Sequence, residues 1–187
     1  MGGCAVKALG TRKLALSPSR KVAIRRLTSG LLKEVSYESG AVPIERIAIQ
    51  LGAVVKYAPY EGELAGMLIQ NGKSSIIAVN SSHHKNRQRF TIAHECGHLC
   101  LHGKRTFVDE GFSIWNRDEN SSYADDILEV EANQFSADIL MPAKNIIRDL
   151  DRFNVDLEDS EQISRMAKFY SVSAQALSYR IANLISF

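Results

Sequence analysis

Residues 89–103, RFTIAHECGHLCLHG, constrain this chain more than any other stretch, because they hold three of its five histidines and two of its three cysteines. On a helix, residues four apart stand one turn apart, about 6 Å along the axis, so His94 and His98 project from one face and can reach one metal ion. Glu95 lies about 100° round from His94, where a carboxylate can touch a metal-bound water instead of the metal. Cys96 and Cys100 fall about 200° and 240° round, opposite the histidines, and read as small core residues. His102 shares the histidine face but lies about 12 Å along the axis from His94. With zinc–nitrogen bonds of about 2 Å, it cannot join both others on one ion. An extended metzincin pattern would need glycine at 101 and histidine at 104, and the chain has Leu101 and Lys104. A catalytic zinc takes three protein ligands and keeps a position for water, so the third ligand must come from another segment.

DDILEVEANQFSADILMP, residues 125–142, is the segment that can supply it. Leu128, Ala132, Phe135, Ile139 and Leu140 recur at helical spacing, so this helix packs inward. Glu129 sits at the edge of that apolar face, while Glu131 is rotated about 200° from it, towards solvent. The face argument prefers Glu129 and leaves Glu131 as the alternative. Asn133, one turn after Glu129, can hydrogen-bond a metal-holding histidine from behind. Tyr123 is a further candidate, for oxyanion assistance.

The surrounding chain sets the frame. At 187 residues it suffices for one well-buried core, and its 24% charged and 45% hydrophobic residues are the balance of an ordinary globular protein. No apolar run approaches the roughly 18 residues of a spanning helix, and the start lacks a secretory apolar core. A cytoplasmic protein is expected, with no membrane partner. Three cysteines, two within one segment, do not suggest a disulfide framework. Eight basic residues precede the first acid, Glu34, which leaves 15 basic against 21 acidic beyond it. Residues 1–16 read as a basic, loose leader, and 17–187 as one domain.

Within that domain Ser17 and Pro18 mark a helix start, with Ile24, Leu27, Leu31 and Val35 on its buried face. A second helix, PIERIAIQLG, ends at Gly52 in a left-handed cap. AVVKYAP, LAGMLIQ and SSIIAVN then read as three strands of a small antiparallel sheet, with Asn71-Gly72 as a tight turn. Helical spacing returns from residue 87, interrupted by a polar stretch, 103–123, read as a long loop beside the site. The class is α+β.

Taken together, RFTIAHECGHLCLH, EVEANQFSADILMP, VPIERIAIQLGAVV and LAGML resemble the ImmA/IrrE family of zinc metallopeptidases, compact relatives of the gluzincins, over roughly residues 20–187. The resemblance implies a mostly helical zincin-like core carrying the sheet and one zinc ion held by His94, His98 and Glu129. Glu95 would be the general base. It also implies a substrate, a helix-turn-helix transcriptional repressor encoded nearby, on a mobile element or in a stress circuit. Cys96 stands where the family usually has Leu or Ile.

Two other classes compete. ISRMAKFYSVSAQALSYRIANL, near the end of the chain, has the spacing of a helix-turn-helix pair over about residues 160–187. Residues 149–161 nevertheless carry six acids against Arg152 alone, a poor footprint for a phosphate backbone, so direct nucleic-acid binding is not expected. A zinc-sensing protein without proteolytic activity would use four protein ligands and have no need of Glu95.

Overall fold

The computed structural model describes residues 15–61, 64–71, 74–103, 113–114 and 123–185. Seven helices and a small sheet occur among them, in the order α1 (Pro18–Glu34), α2 (Ile44–Gln50), β1 (Ala53–Ala58), β2 (Gly66–Asn71), β3 (Ser74–Asn80), α3 (Lys85–Leu101), β4 (Ser113–Ile114), α4 (Tyr123–Leu140), α5 (Ala143–Arg152), α6 (Ser160–Tyr170) and α7 (Ala174–Ile185). The α+β class stands. None of the described helices is long and apolar enough to cross a membrane.

Local chemistry explains the helix starts. Ser17 accepts a hydrogen bond from the Arg20 amide with Pro18 in the first turn, as their identities predict. Asp159 caps α6 through the amides of Glu161 and Gln162. Gly52 takes φ +78°, the left-handed geometry that frees the chain from α2 into β1. Of the α1 residues expected inside, Ile24, Leu31 and Val35 are buried, whereas Leu27 is 36% exposed. Leu16, assigned to the leader, is buried in the core; residues 1–14 lie outside the described residues.

The sheet differs from a plain antiparallel meander. Its strand order is β1-β3-β2-β4, with β1 parallel to β3 and β2 antiparallel to β3. Successive strands alternate in direction, so β1 and β3 run the same way. They become neighbours because the chain crosses the end of β3 before entering β2. Asn80, at the end of β3, holds that crossing: its amide group donates to the Tyr60 and Leu64 carbonyls, and its oxygen accepts from the Tyr60 and Ser82 amides. Nothing in the strand periodicity reveals this order. The expected long loop lies mostly outside the described residues, but Ser113 and Ile114 within it add β4 to the edge of β2.

Helix α3 packs on β2 and β3 on one side and along α4 on the other. Two glycines permit the close approach. A Cβ at Gly66 of β2 would fall 2.5 Å from the Ala78 carbonyl oxygen and from Thr91 Cγ2 on α3. At Gly97, on α3, it would meet Ala132 Cα at 3.1 Å and Phe135 Cβ at 3.2 Å. At the end of the chain, α6 and α7 bury Ile163, Ala167, Tyr170, Leu177 and Ile181 in the same core.

Candidate metal centre

The run Thr91 to His98 of α3 mixes polar and apolar residues, yet it is buried without exception. The apolar members hold the helix between sheet and α4, which obliges the polar ones to find partners inside. His94 Nε2 lies 2.9 Å from His98 Nε2. Glu129, entering from α4, places Oε2 3.2 Å from His94 Nε2 and Oε1 3.1 Å from His98 Nε2. Among the described residues these three offer the one set of metal-type donor atoms gathered within 4.8 Å.

The donor set fits zinc. Two atoms bound tetrahedrally to one ion at about 2 Å stand roughly 3.3 Å apart, close to the separations found here. Each ring also has a partner at its other nitrogen. His94 Nδ1 lies 3.1 Å from Asn133 Oδ1, and His98 Nδ1 lies 3.0 Å from His102 Nδ1. A proton held at Nδ1 leaves Nε2 with its lone pair for a metal. Both ring side chains are nearly inaccessible, while the Glu129 side chain is 28% exposed, so the cluster opens to solvent on the Glu129 side.

Of the residues singled out in the sequence, the structure brings together His94, His98, Glu129 and Asn133. Glu95 is buried on the same helix, beside the histidines. Tyr123 begins α4, but its side chain lies outside the described residues. Cys96 is buried, as its position opposite the histidines requires. Burial pushes the Cys96 thiol up beyond its ordinary range and that of Cys100 to about 12, so both stay protonated at neutral pH.

Glu131 departs from expectation. It points not to solvent but into a part-buried contact with Arg20, whose Nε and Nη2 donate to Oε1 at 2.6 Å and Oε2 at 2.5 Å. The reason is tertiary: α1 lies across α4 and covers the face that a single-helix projection leaves open. The Arg20 fork holds the Glu131 carboxyl below its ordinary range against the opposing effect of burial. His102 Nε2 stands 3.2 Å from Glu131 Oε2. Burial and the neighbouring His98 lower the His102 pKa, so that ring is neutral at neutral pH. Sequence reasoning misses Arg20 altogether, since nothing local links it to a residue 111 positions away. The repeat of His98 at His102 is visible in the sequence, but only as a ligand too far from His94.

Comparison with known proteins agrees with this geometry. The model of the IrrE N-terminal-like domain, a metallopeptidase domain, matches residues 48–182. The chain belongs to this family. Two relatives are radiation response metalloproteases IrrE: that of Deinococcus radiodurans is 30% identical over 107 residues, and that of Deinococcus deserti is 31% identical over 107 residues. Each alignment covers 57% of this chain, but only 30% and 36% of the respective relatives, so the chain spans about a third of their length. A Mycobacterium tuberculosis transcriptional regulator shares the fold, with a TM-score of 0.56 at 15% identity over 89% of this chain and 47% of that one.

Proposed function

We propose that this protein is a zinc-dependent endopeptidase that cuts a helix-turn-helix transcriptional repressor in the cytoplasm and so releases a stress or mobile-element regulon. The observation that carries the reading is the meeting of His94 Nε2, His98 Nε2 and the partly exposed Glu129 carboxylate at one point. Zinc held there supplies a Lewis acid for the scissile carbonyl and a source of hydroxide at neutral pH. The chain's own residues supply the rest. His94 and His98 bind through Nε2, and Asn133 fixes the His94 ring by accepting from Nδ1. The Glu95 carboxylate is the base that takes a proton and hands it to the departing amine. Its burial beside the rings limits competition from bulk water for that proton. Support for a stress circuit comes from the relatives, which are radiation response proteases.

Incubating the zinc-loaded protein with the repressor encoded beside its gene, followed by intact-mass analysis, should yield two complementary fragments. Glu95→Gln should retain stoichiometric zinc and yield none, and His94→Ala or His98→Ala should retain no zinc. A repressor left whole by active protein under inducing conditions rejects the substrate, and turnover by Glu95→Gln rejects the mechanism.

A further inference from the structure

The metal centre is braced from α1, an element that precedes the family-matched residues 48–182. We propose that Arg20, Glu131 and His102 form a positioning relay that fixes which nitrogen of His98 carries the proton and thereby sets the tightness with which the site grips its ion. The inference rests on the metal reading above and assigns a role to three residues that hold no ion themselves.

The chain of contacts runs in one direction. Arg20 donates twice to Glu131, through Nε at 2.6 Å and Nη2 at 2.5 Å. A carboxylate accepts only, so the 3.2 Å contact between Glu131 Oε2 and His102 Nε2 requires the proton of His102 to sit on Nε2. In the neutral ring Nδ1 of His102 is then an acceptor. His98 Nδ1, 3.0 Å away, must be the donor. That leaves His98 Nε2 unprotonated where it meets Glu129 and His94. With the His102 ring neutral, every polarity in the relay follows from Arg20, which cannot accept, and the Glu131 carboxylate, which cannot donate.

His94 provides an internal contrast. Its Nδ1 is met by Asn133 Oδ1 from α4, with no share in the relay. Breaking the relay should release the Nδ1 proton of His98 and leave that of His94, held by Asn133, in place. The relay also explains an arrangement that the ligand set alone does not. His102 has a nearly inaccessible side chain, and Glu131 has one 10% exposed, costs that their contact helps to offset.

Three variants of the full chain test the proposal: His102→Leu, which removes the acceptor; His102→Asn, which offers an acceptor oxygen in the place of Nδ1; and Arg20→Met, which frees Glu131. Zinc affinity is read by competition with a chelating dye, and tautomers by two-bond proton–nitrogen NMR of the histidine rings. His102→Leu should weaken zinc binding by about 10–100-fold, the range found for partners standing behind metal ligands. His102→Asn should recover most of that loss, and Arg20→Met should fall between. In the parent protein His102 should carry its proton on Nε2, with or without zinc. In Arg20→Met that preference should blur while His94 keeps its proton on Nδ1, facing Asn133.

Equal weakening by His102→Leu and His102→Asn would mean the ring merely fills space, and would overturn the relay. So would parent-like zinc affinity in His102→Leu, or a parent His102 protonated on Nδ1. If His102→Leu fails to fold, the parent tautomers and the Arg20→Met spectrum decide the matter. A parent chain that binds no zinc sinks the metal reading instead, and the His102 tautomer in the metal-free protein still judges the relay.

Discussion

Asp149 shows how one buried carboxylate becomes part of the frame. Its side chain is fully inaccessible, yet Tyr170 Oη donates to Oδ2 at 2.6 Å, Arg148 Nε donates to Oδ1 at 2.8 Å, and Ser39 Oγ lies 3.3 Å from Oδ2. Burial alone would raise the Asp149 pKa, but the bonds from Arg148, Tyr170 and Ser39 outweigh it and hold the carboxyl below its ordinary value. A depressed folded pKa means that the stabilisation is present above the unfolded value, about 3.9, and is lost as pH falls through the folded value. Tyr170→Phe deletes a donor to a buried charge, so it should cost about 1.5–3 kcal/mol at pH 7. That penalty should shrink below about pH 4, as Asp149 takes up a proton. Urea unfolding of parent and variant at pH 7 and pH 3 measures both, and an equal penalty at the two pH values would contradict the charged pair.

At the scale of elements, the decisive contact is that of α3 with α4, because one helix carries the two imidazoles and the other the carboxylate. Gly97 sets their spacing. In an exposed helix, Gly97→Ala would gain about 1 kcal/mol of propensity. Here the new methyl would lie 3.1 Å from Ala132 Cα and 3.3 Å from the Ala132 carbonyl oxygen, and backbone cannot swing aside. Overpacking of that kind costs about 1–3 kcal/mol, so the variant should lose stability overall. Its zinc affinity should fall as well, since the helices must part where His98 meets Glu129. Thermal melting of the metal-free protein and zinc titration check the two effects. A Gly97→Ala variant at least as stable as the parent, with unchanged zinc affinity, would show that the interface yields.

Across the whole molecule, the C-terminal helices are locked to the site-bearing core by charge as well as by apolar packing. Arg180 of α7 is buried, with Nη2 donating to Asp138 Oδ1 at 2.5 Å and Nε donating to the Met141 carbonyl at 3.0 Å. Arg25 of α1 approaches the same Asp138 oxygen at 3.8 Å, so three helices share one carboxylate. Removing Arg180 leaves the buried Asp138 carboxylate with the Gln134 amide and the more distant Arg25, so Arg180→Met should cost about 1.5–3 kcal/mol, seen as a lower urea midpoint. An unchanged midpoint would show that the pair contributes nothing net. The burial of Arg180 also bears on the helix-turn-helix reading of this segment. The outward residues of α7, Gln175, Ser178, Tyr179, Ala182, Asn183 and Ile185, include no cation, whereas a helix laid against phosphates needs several.

What the sequence determined by itself is what short-range periodicity encodes. His94 and His98 share a face because 3.6 residues make a turn, and that fact survives any packing. The same holds for the Ser17 cap, the Gly52 turn, and Glu129 as an acid at the margin of an apolar stripe. Tertiary structure alone decided the rest. The strand order β1-β3-β2 depends on Asn80 gripping a crossing loop, and strand periodicity does not record which strand lies beside which. Glu131 turned inward because α1 covers it, bringing Arg20 to a carboxylate far away in the chain. A helix's own pattern states which side is apolar, but the partner that covers a polar side is chosen by the packing of every other element.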